Sequence, residues 1–256
     1  MVALFFKRFI LIKMWKKIRK ILRFVVVTFF VSTIVSVVIY KFLPVYVTPL
    51  MVIRCVEQIF DGHAPRVEHK WVSLEEMSPS MPVAVMGSED ARFLIHHGFD
   101  FKQIEHAAKQ NAAGGKKVGA STISQQTAKN VFLWPGRTWV RKGFEAYFTV
   151  LIELMWSKQR IMEVYLNSIE TGDGIYGVEA VARLHFGKSA KDLTRSECAL
   201  IAATLPNPRK FSSLEPSKYV RGRRGKIEAN MRFIPKFPAE NEDIDKSTVK
   251  GGIYKK

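Results

Sequence analysis

Apolar and polar positions alternate on different scales along this chain, and those scales divide it into segments. Phe24 to Tyr40, "FVVVTFFVSTIVSVVIY", is a run of 17 residues with no charge, Pro or Gly. As a helix it rises about 26 Å, near the lower limit for crossing a bilayer, and its flanks add a few residues. The run predicts a membrane anchor over 24–43; the alternative is a buried core helix. The next stretch, 44–72, is punctuated by prolines and reads as a stem. From about Pro82 to Phe211 the apolar positions recur with helical period. "DFKQIEHAAKQNA" puts Phe101, Ile104 and Ala108 on one face, and "STISQQTAKNVFL" predicts a helix capped by Ser121. Arg137 to Asn167 reads as one long helix, so apolar in its middle that protein should nearly surround it. "TGDGIYG" breaks it. "GVEAVARLHFG" and "LTRSECALIAATL" give two further helices, the second with Thr194 and Glu197 at capping-box spacing. Arg221, Arg223, Arg224 and Lys226 fall on a last helix, and the polar end reads as disordered. Strand patterns are sparse, so the fold class is mainly α. The expected organisation is a basic tail (1–23), an anchor (24–43), a stem (44–72), a folded domain (73–235) and a disordered tail (236–256).

Charge fixes the orientation. Of the formal net charge of +17, eight come from Lys7, Arg8, Lys13, Lys16, Lys17, Arg19, Lys20 and Arg23, a segment without Asp or Glu. Basic residues before an apolar run keep the N-terminus in the cytoplasm, so everything after Tyr40 is expected outside it. A cleaved signal peptide has the same order, but "KFLPVYVTPL" offers no small-x-small cleavage site, which favours an uncleaved anchor. The topology also accounts for the basic cluster without nucleic acid. Cys55 and Cys198 lack metal-ligand spacing. Cys198 sits in an apolar run as a small core residue; a disulfide between the two is compatible with an outside location but not demanded.

Candidate chemistry concentrates in a few stretches. "SEDARFLIHHGFD", Ser88 to Asp100, packs carboxylates and histidines together: a solvated acidic turn, or the home of a catalytic acid or base. Thr122, Gln126 and Lys129 share a helical face, which suits a polar anionic ligand or simply water. Arg141 and Glu145 are i, i+4 neighbours, an ordinary intrahelical pair unless their apolar surroundings give them more to do. His96 and His97 lack the companions of a metal site, "GGKK" is not a P-loop, and "STVK" (Ser247 to Lys250) matches a penicillin-acylase motif without its partners.

Taken in order, E-D-x-x-F-x-x-H-x-G-x-D, G-A-S-T-I-S-Q-Q-T-A-K-N, R-K-x-x-E and S-K-x-x-I-x-x-x-Y-L-N resemble the peptidoglycan glycosyltransferases, most closely the monofunctional, membrane-anchored biosynthetic type, over roughly Val83 to Phe233. The resemblance implies a lysozyme-like glycosyltransferase domain with a small hydrophobic jaw, where "VFLWPGRTWV" carries Phe132, Leu133, Trp134 and Trp139. It implies Glu89 as the general base, with Asp90, Phe93 and His96 supporting it at the substrate site. Thr122, Gln126 and Lys129 match contacts around the substrate's diphosphate and sugars. Arg141 and Glu145 match a second charged cluster in which the carboxylate is catalytically important, and Asn167 matches a structural position. Ala120 departs from relatives with a second Gly there. The implied reaction polymerises lipid II into glycan strands at the outer face of the bacterial inner membrane. The implied partners are lipid II, the polyprenyl-diphosphate-linked glycan, membrane lipids and other wall-synthesis proteins. No motif requires a cofactor, and a divalent cation stays open. About twenty residues follow Phe233, which predicts no transpeptidase domain. A lysozyme-type hydrolase and a tethered binding protein are the rival readings; neither needs the anchor, the cations and the ordered motifs together.

Overall fold

The computed structural model describes residues 2–114, 119–239 and 242, with side chains from Lys13 onward. The "GKKV" part of the Gly-rich stretch, Ser247–Lys250 and the rest of the tail beyond 242 lie outside the described residues. The chain forms two compact units, divided after Leu43.

The first unit is a single helix, α1 (Val2–Phe42). Leu, Lys and Arg propagate a helix well, and no Pro or Gly interrupts the run before Pro44. The basic segment and the anchor are therefore one continuous helix. Its stretch Lys13–Phe42 is long and apolar enough to cross a membrane. Its hydroxyls turn inward: Ser32 Oγ and Thr33 Oγ1 donate to the Phe29 carbonyl at 3.0 and 2.9 Å, and Ser36 Oγ to Thr33 at 2.8 Å. Such back-bonding satisfies polar groups where water is absent.

The second unit contains α2 (Pro49–Phe60), β1 (Glu68–His69), α3 (Ser80–Glu89), α4 (Phe101–Ala112), α5 (Ile123–Phe132), α6 (Trp139–Met155), α7 (Lys158–Ser168), β2 (Glu170–Gly172), β3 (Ile175–Tyr176), α8 (Val178–Phe186), α9 (Arg195–Thr204) and α10 (Lys218–Asn230). Ten α-helices and one three-stranded sheet among the described residues make the chain mainly α, as the periodicity predicts. The sheet runs β1-β3-β2, with β1 parallel and β2 antiparallel to β3. One packed group is α3, α9 and α10; another is α5 with α6 and α7. The middle of α3 (Met81 to Gly87) and the run Cys198 to Thr204 of α9 are buried throughout. Cys55 and Cys198 are free thiols, and burial pushes Cys198 up to about 12, which leaves it unreactive.

Several local expectations change. The 44–72 segment folds within the same unit as the rest: Thr48 caps α2, accepting from the Met51 amide at 3.2 Å, and Leu50 and Met51 bury against Tyr176. The cap of α5 is Thr122 rather than Ser121, with Gln125 completing a capping box. The long helix is two, because Ser157 accepts from the Arg160 amide at 3.1 Å and starts α7 afresh. Protein does not surround α6: Trp139, Val150 and Leu154 lie exposed along one side of it. On α4, Phe101 and Ile104 are exposed and Ala107 is the buried residue. The tail expected from 236 begins ordered, with Phe237 stacked on Phe93 at 6.4 Å and the Ala239 carbonyl accepting from Gln159 Nε2 at 3.1 Å.

Candidate active site

The titratable groups between Ser88 and Asp100 sort into pairs, leaving one carboxylate toward open space. Asp100 caps α4, accepting from the Gln103 amide at 3.1 Å, and pairs with Arg92 at 3.0 Å. Asp90 is buried. Its oxygens lie 2.9 and 3.0 Å from His96 Nε2, and one also accepts from the Ile123 amide at 3.0 Å, at the first turn of α5. It ties the end of α3 to a helix N-terminus, where a negative charge is favoured. Gly98, between these pairs, has φ +87°, and a Cβ there would stand 2.8 Å from Thr149 Cγ2, so the turn requires glycine.

Glu89, at the last position of α3, lines a cavity of about 250 Å³ together with Thr122, His106 and Asn230. Its Oε1 is 2.8 Å from Ser88 Oγ and 3.3 Å from the Arg223 guanidinium of α10, which also reaches Ser88 Oγ at 2.9 Å. Its Oε2 accepts from Gln126 Nε2 at 3.3 Å. Gln126 is held in turn by Tyr165, whose hydroxyl donates to Gln126 Oε1 at 3.1 Å. Complete burial, then the nearby charges of Glu89 and Asp90, push the Tyr165 phenol well above its usual range. Tyr165 therefore stays a donor, which fixes the Gln126 amide with its NH₂ toward Glu89.

Beyond Gln126 the charge reverses. A second cavity, of about 410 Å³, is lined by Gln126, Lys129, Arg137, Tyr165, Arg54 and Glu170 among others. Lys129 has no ion-pair partner among the described residues. Burial lowers its pKa, while the carboxylate of Glu145 raises it. Glu145 itself is buried in α6, 2.6 Å from Arg141 NH1 and bonded also to Lys142 Nζ. The molecule thus sets an acidic cavity and a cationic one on either side of one amide. The first suits an uncharged, hydroxyl-rich ligand; the second suits an anion.

Of the positions singled out in the sequence, Glu89, Gln126 and Lys129 line these cavities. Phe93 does not: it is fully buried, with Lys158 Nζ 4.5 Å from its ring centroid. His96 is likewise buried behind Asp90. Thr122 borders the acidic cavity, but its hydroxyl donates to the Gly98 carbonyl at 2.6 Å and accepts from the Gln125 amide, so it is spent on the cap. Asn167 holds Val72 through both its amide groups, at 3.0 and 2.9 Å, which is structural. Sequence reasoning missed Arg137, Arg223 and Tyr165. Arg223 was visible only as one charge of a basic helix, and Tyr165 only as the first letter of the Y-L-N motif, with no role attached.

A family model described as Transglycosylase matches residues 56–232. A protein named biosynthetic peptidoglycan transglycosylase from Bacteroides thetaiotaomicron is 57% identical over 232 residues, 90% of this chain and 94% of that protein. Proteins of the same name from Bdellovibrio bacteriovorus and Caulobacter vibrioides are 54% and 50% identical, covering 83% and 84% of this chain and 85% and 93% of theirs.

Proposed function

The chain belongs to the transglycosylase family, and from that premise we propose that Glu89 is the base of glycan polymerisation and the cationic cavity the seat of the leaving diphosphate. The protein is a peptidoglycan glycosyltransferase that polymerises glycan strands. The acceptor is the GlcNAc 4-hydroxyl of lipid II, placed in the cavity that Glu89 lines. The donor is the growing strand, whose MurNAc C1 carries the polyprenyl diphosphate. Glu89 takes the hydroxyl proton as oxygen attacks C1, a contribution of roughly 10²–10⁴ in rate. The bond from C1 to the diphosphate oxygen breaks, and Lys129 and Arg137 meet the charge that develops there. One displacement inverts C1, so no covalent enzyme intermediate forms. Glu145 acts through Arg141 and Lys142, holding those cations beside Lys129. Gln126 and Tyr165 aim the base.

The observation that carries this reading is the division of charge across Gln126: the Glu89 carboxylate, which faces its cavity beside Arg223, lies on one side, and Lys129, without an ion-pair partner among the described residues, on the other. A retaining hydrolase would need a second carboxylate about 5 Å away. Asp90 and Asp100, the other acids of that cavity, are committed to His96 and Arg92. The lipid substrates explain why an apolar helix precedes the enzyme. The N-terminus lies in the cytoplasm and the catalytic unit outside it, with the exposed Trp134 and Trp139 as its contact with lipid. The test is polymerisation of labelled lipid II by purified protein in detergent. Glu89→Gln keeps the shape but cannot accept the proton, and turnover should fall about 10²–10⁴-fold while lipid II still binds. A folded Glu89→Gln variant that polymerises normally would overturn the assignment.

A further inference from the structure

The cationic cavity has a wall that the reaction above leaves unused. Arg54 on α2 and Glu170 on β2 face each other there, with Arg54 Nε 3.6 Å from Glu170 Oε2. That separation attracts but makes no hydrogen bond. Arg54 NH1 is instead bonded to Glu57 at 2.5 Å. Glu170 is buried, and among the described residues neither its other oxygen, Oε1, nor Arg54 Nε has a hydrogen-bond partner. Two buried polar atoms of charged groups, Arg54 Nε and Glu170 Oε1, with unmade hydrogen bonds on the wall of an open cavity, are costly unless something else uses them. Burial also pushes the Glu170 carboxyl upward against the pull of Arg54 and Arg209. Arg54 precedes the region matched by the family model, which begins at residue 56, so that match gives it no role.

We propose that Arg54 is a third cation for the diphosphate and that Glu170 is the counter-ion which releases it. The inference rests on the cavity taking the diphosphate. In the empty cavity Glu170 holds the guanidinium near the wall. When phosphate oxygens arrive they compete for Arg54, and Glu170 limits how tightly they are kept. The limit matters because Arg54 binds the diphosphate before and after the bond breaks. An uncompensated third cation would tighten substrate and product alike and would hold the spent polyprenyl diphosphate in place. Arg54 is thus a binding residue, and Glu170 a positioning residue that acts through it.

The test uses full-length enzyme in detergent, labelled lipid II as substrate and farnesyl diphosphate as inhibitor. Glu170→Gln removes the counter-ion on the cavity wall, leaving Arg54 with Glu57 alone, and should tighten inhibition by on the order of tenfold. Arg54→Gln should weaken it by a similar factor, Arg54→Lys should fall between Arg54→Gln and the parent, and the double variant Arg54→Gln/Glu170→Gln should return close to the parent value. Opposite signs from the two halves of one ion pair are the signature. A pair that only ties α2 to the sheet would lower the melting temperature in both variants without driving inhibition apart, and that result overturns the proposal. If Glu170→Gln fails to fold, the comparison of Arg54→Gln with Arg54→Lys decides: equal inhibition constants overturn it. Lys129→Ala separates the two levels of argument. If it leaves farnesyl diphosphate inhibition unchanged, the diphosphate cavity itself is wrong and this inference falls with it. If it weakens inhibition while Arg54 and Glu170 do not diverge, only the inference fails.

Discussion

Asp90 accepts from His96 Nε2 and from the Ile123 amide, and it is buried in the wall of the acidic cavity. Glu89, one residue earlier, carries Ser88, Gln126 and Arg223 on its carboxylate and faces open space. The two carboxylates should therefore fail in different ways when neutralised. Asp90→Asn puts an amide where a charge met a ring N–H and a helix N-terminus, and should cost about 1–3 kcal/mol of stability. In a unit of this size that is roughly 2–4 °C in Tm for each kcal/mol, with turnover per folded molecule largely kept. Glu89→Gln should do the reverse. Thermal melting followed by circular dichroism, beside polymerisation rates on the same samples, distinguishes them; an Asp90→Asn protein that melts like the parent would show that the tie to α5 is not stabilising. Nothing in "SED" alone separates these neighbours, because both are short acidic side chains at the end of an apolar run. What separates them is a hydrogen bond from the Ile123 amide, 33 residues away.

On the scale of single elements, periodicity placed most helices correctly but misjudged what they face. The Thr194–Glu197 capping box is where its spacing puts it, because a cap is a contact within four residues. The break between α6 and α7 was hidden, since Ser157 sits in a run whose apolar residues continue on both sides. The outer side of α6 was hidden for a different reason. Apolar residues do not say whether they meet protein or lipid, and Trp139 is 91% exposed among the described residues. Of the four residues expected in the jaw, Phe132 stacks on Phe148 at 4.5 Å and Leu133 is buried, which leaves Trp134 and Trp139 outward. Exposed tryptophans suit the headgroup layer. Replacing both by Asp in the segment from Pro44 onward should cut its partition onto liposomes at least about tenfold without changing its Tm, because a charge at that depth costs up to ~3 kcal/mol. Equal sedimentation of parent and variant with liposomes would show that this face meets water.

For the molecule as a whole, the arrangement that makes sense of the chemistry is a long apolar helix followed by one helical unit. The substrates are lipids, and a polymerase tethered beside them meets them at two-dimensional concentration. Which side of the membrane the unit occupies follows from charge. Lys13, Lys16, Lys17, Arg19, Lys20 and Arg23 precede the uncharged run within the same helix, with no acidic residue among them. Moving such a cluster across a bilayer is opposed both by its desolvation and by the positive-inside bias of insertion, so the proposed topology keeps the cluster in the cytoplasm. Among the described residues Lys13–Phe42 is the one helix long and apolar enough to cross, so the proposal has a single span. On that proposal, everything from Pro44 onward is expected on the far side. A reporter fused after Phe233 tests this, because Phe233 follows α10 and lies exposed at the surface. Alkaline phosphatase, which is active only outside the cytoplasm, should give signal there, and a cytoplasm-only reporter at the same point should stay dark. Replacing those six basic residues by Gln, with three Lys introduced after Leu43, should reverse both signals. An active cytoplasmic reporter in the unaltered chain would place Glu89 on the wrong side of the membrane for its substrate, and the mechanism with it.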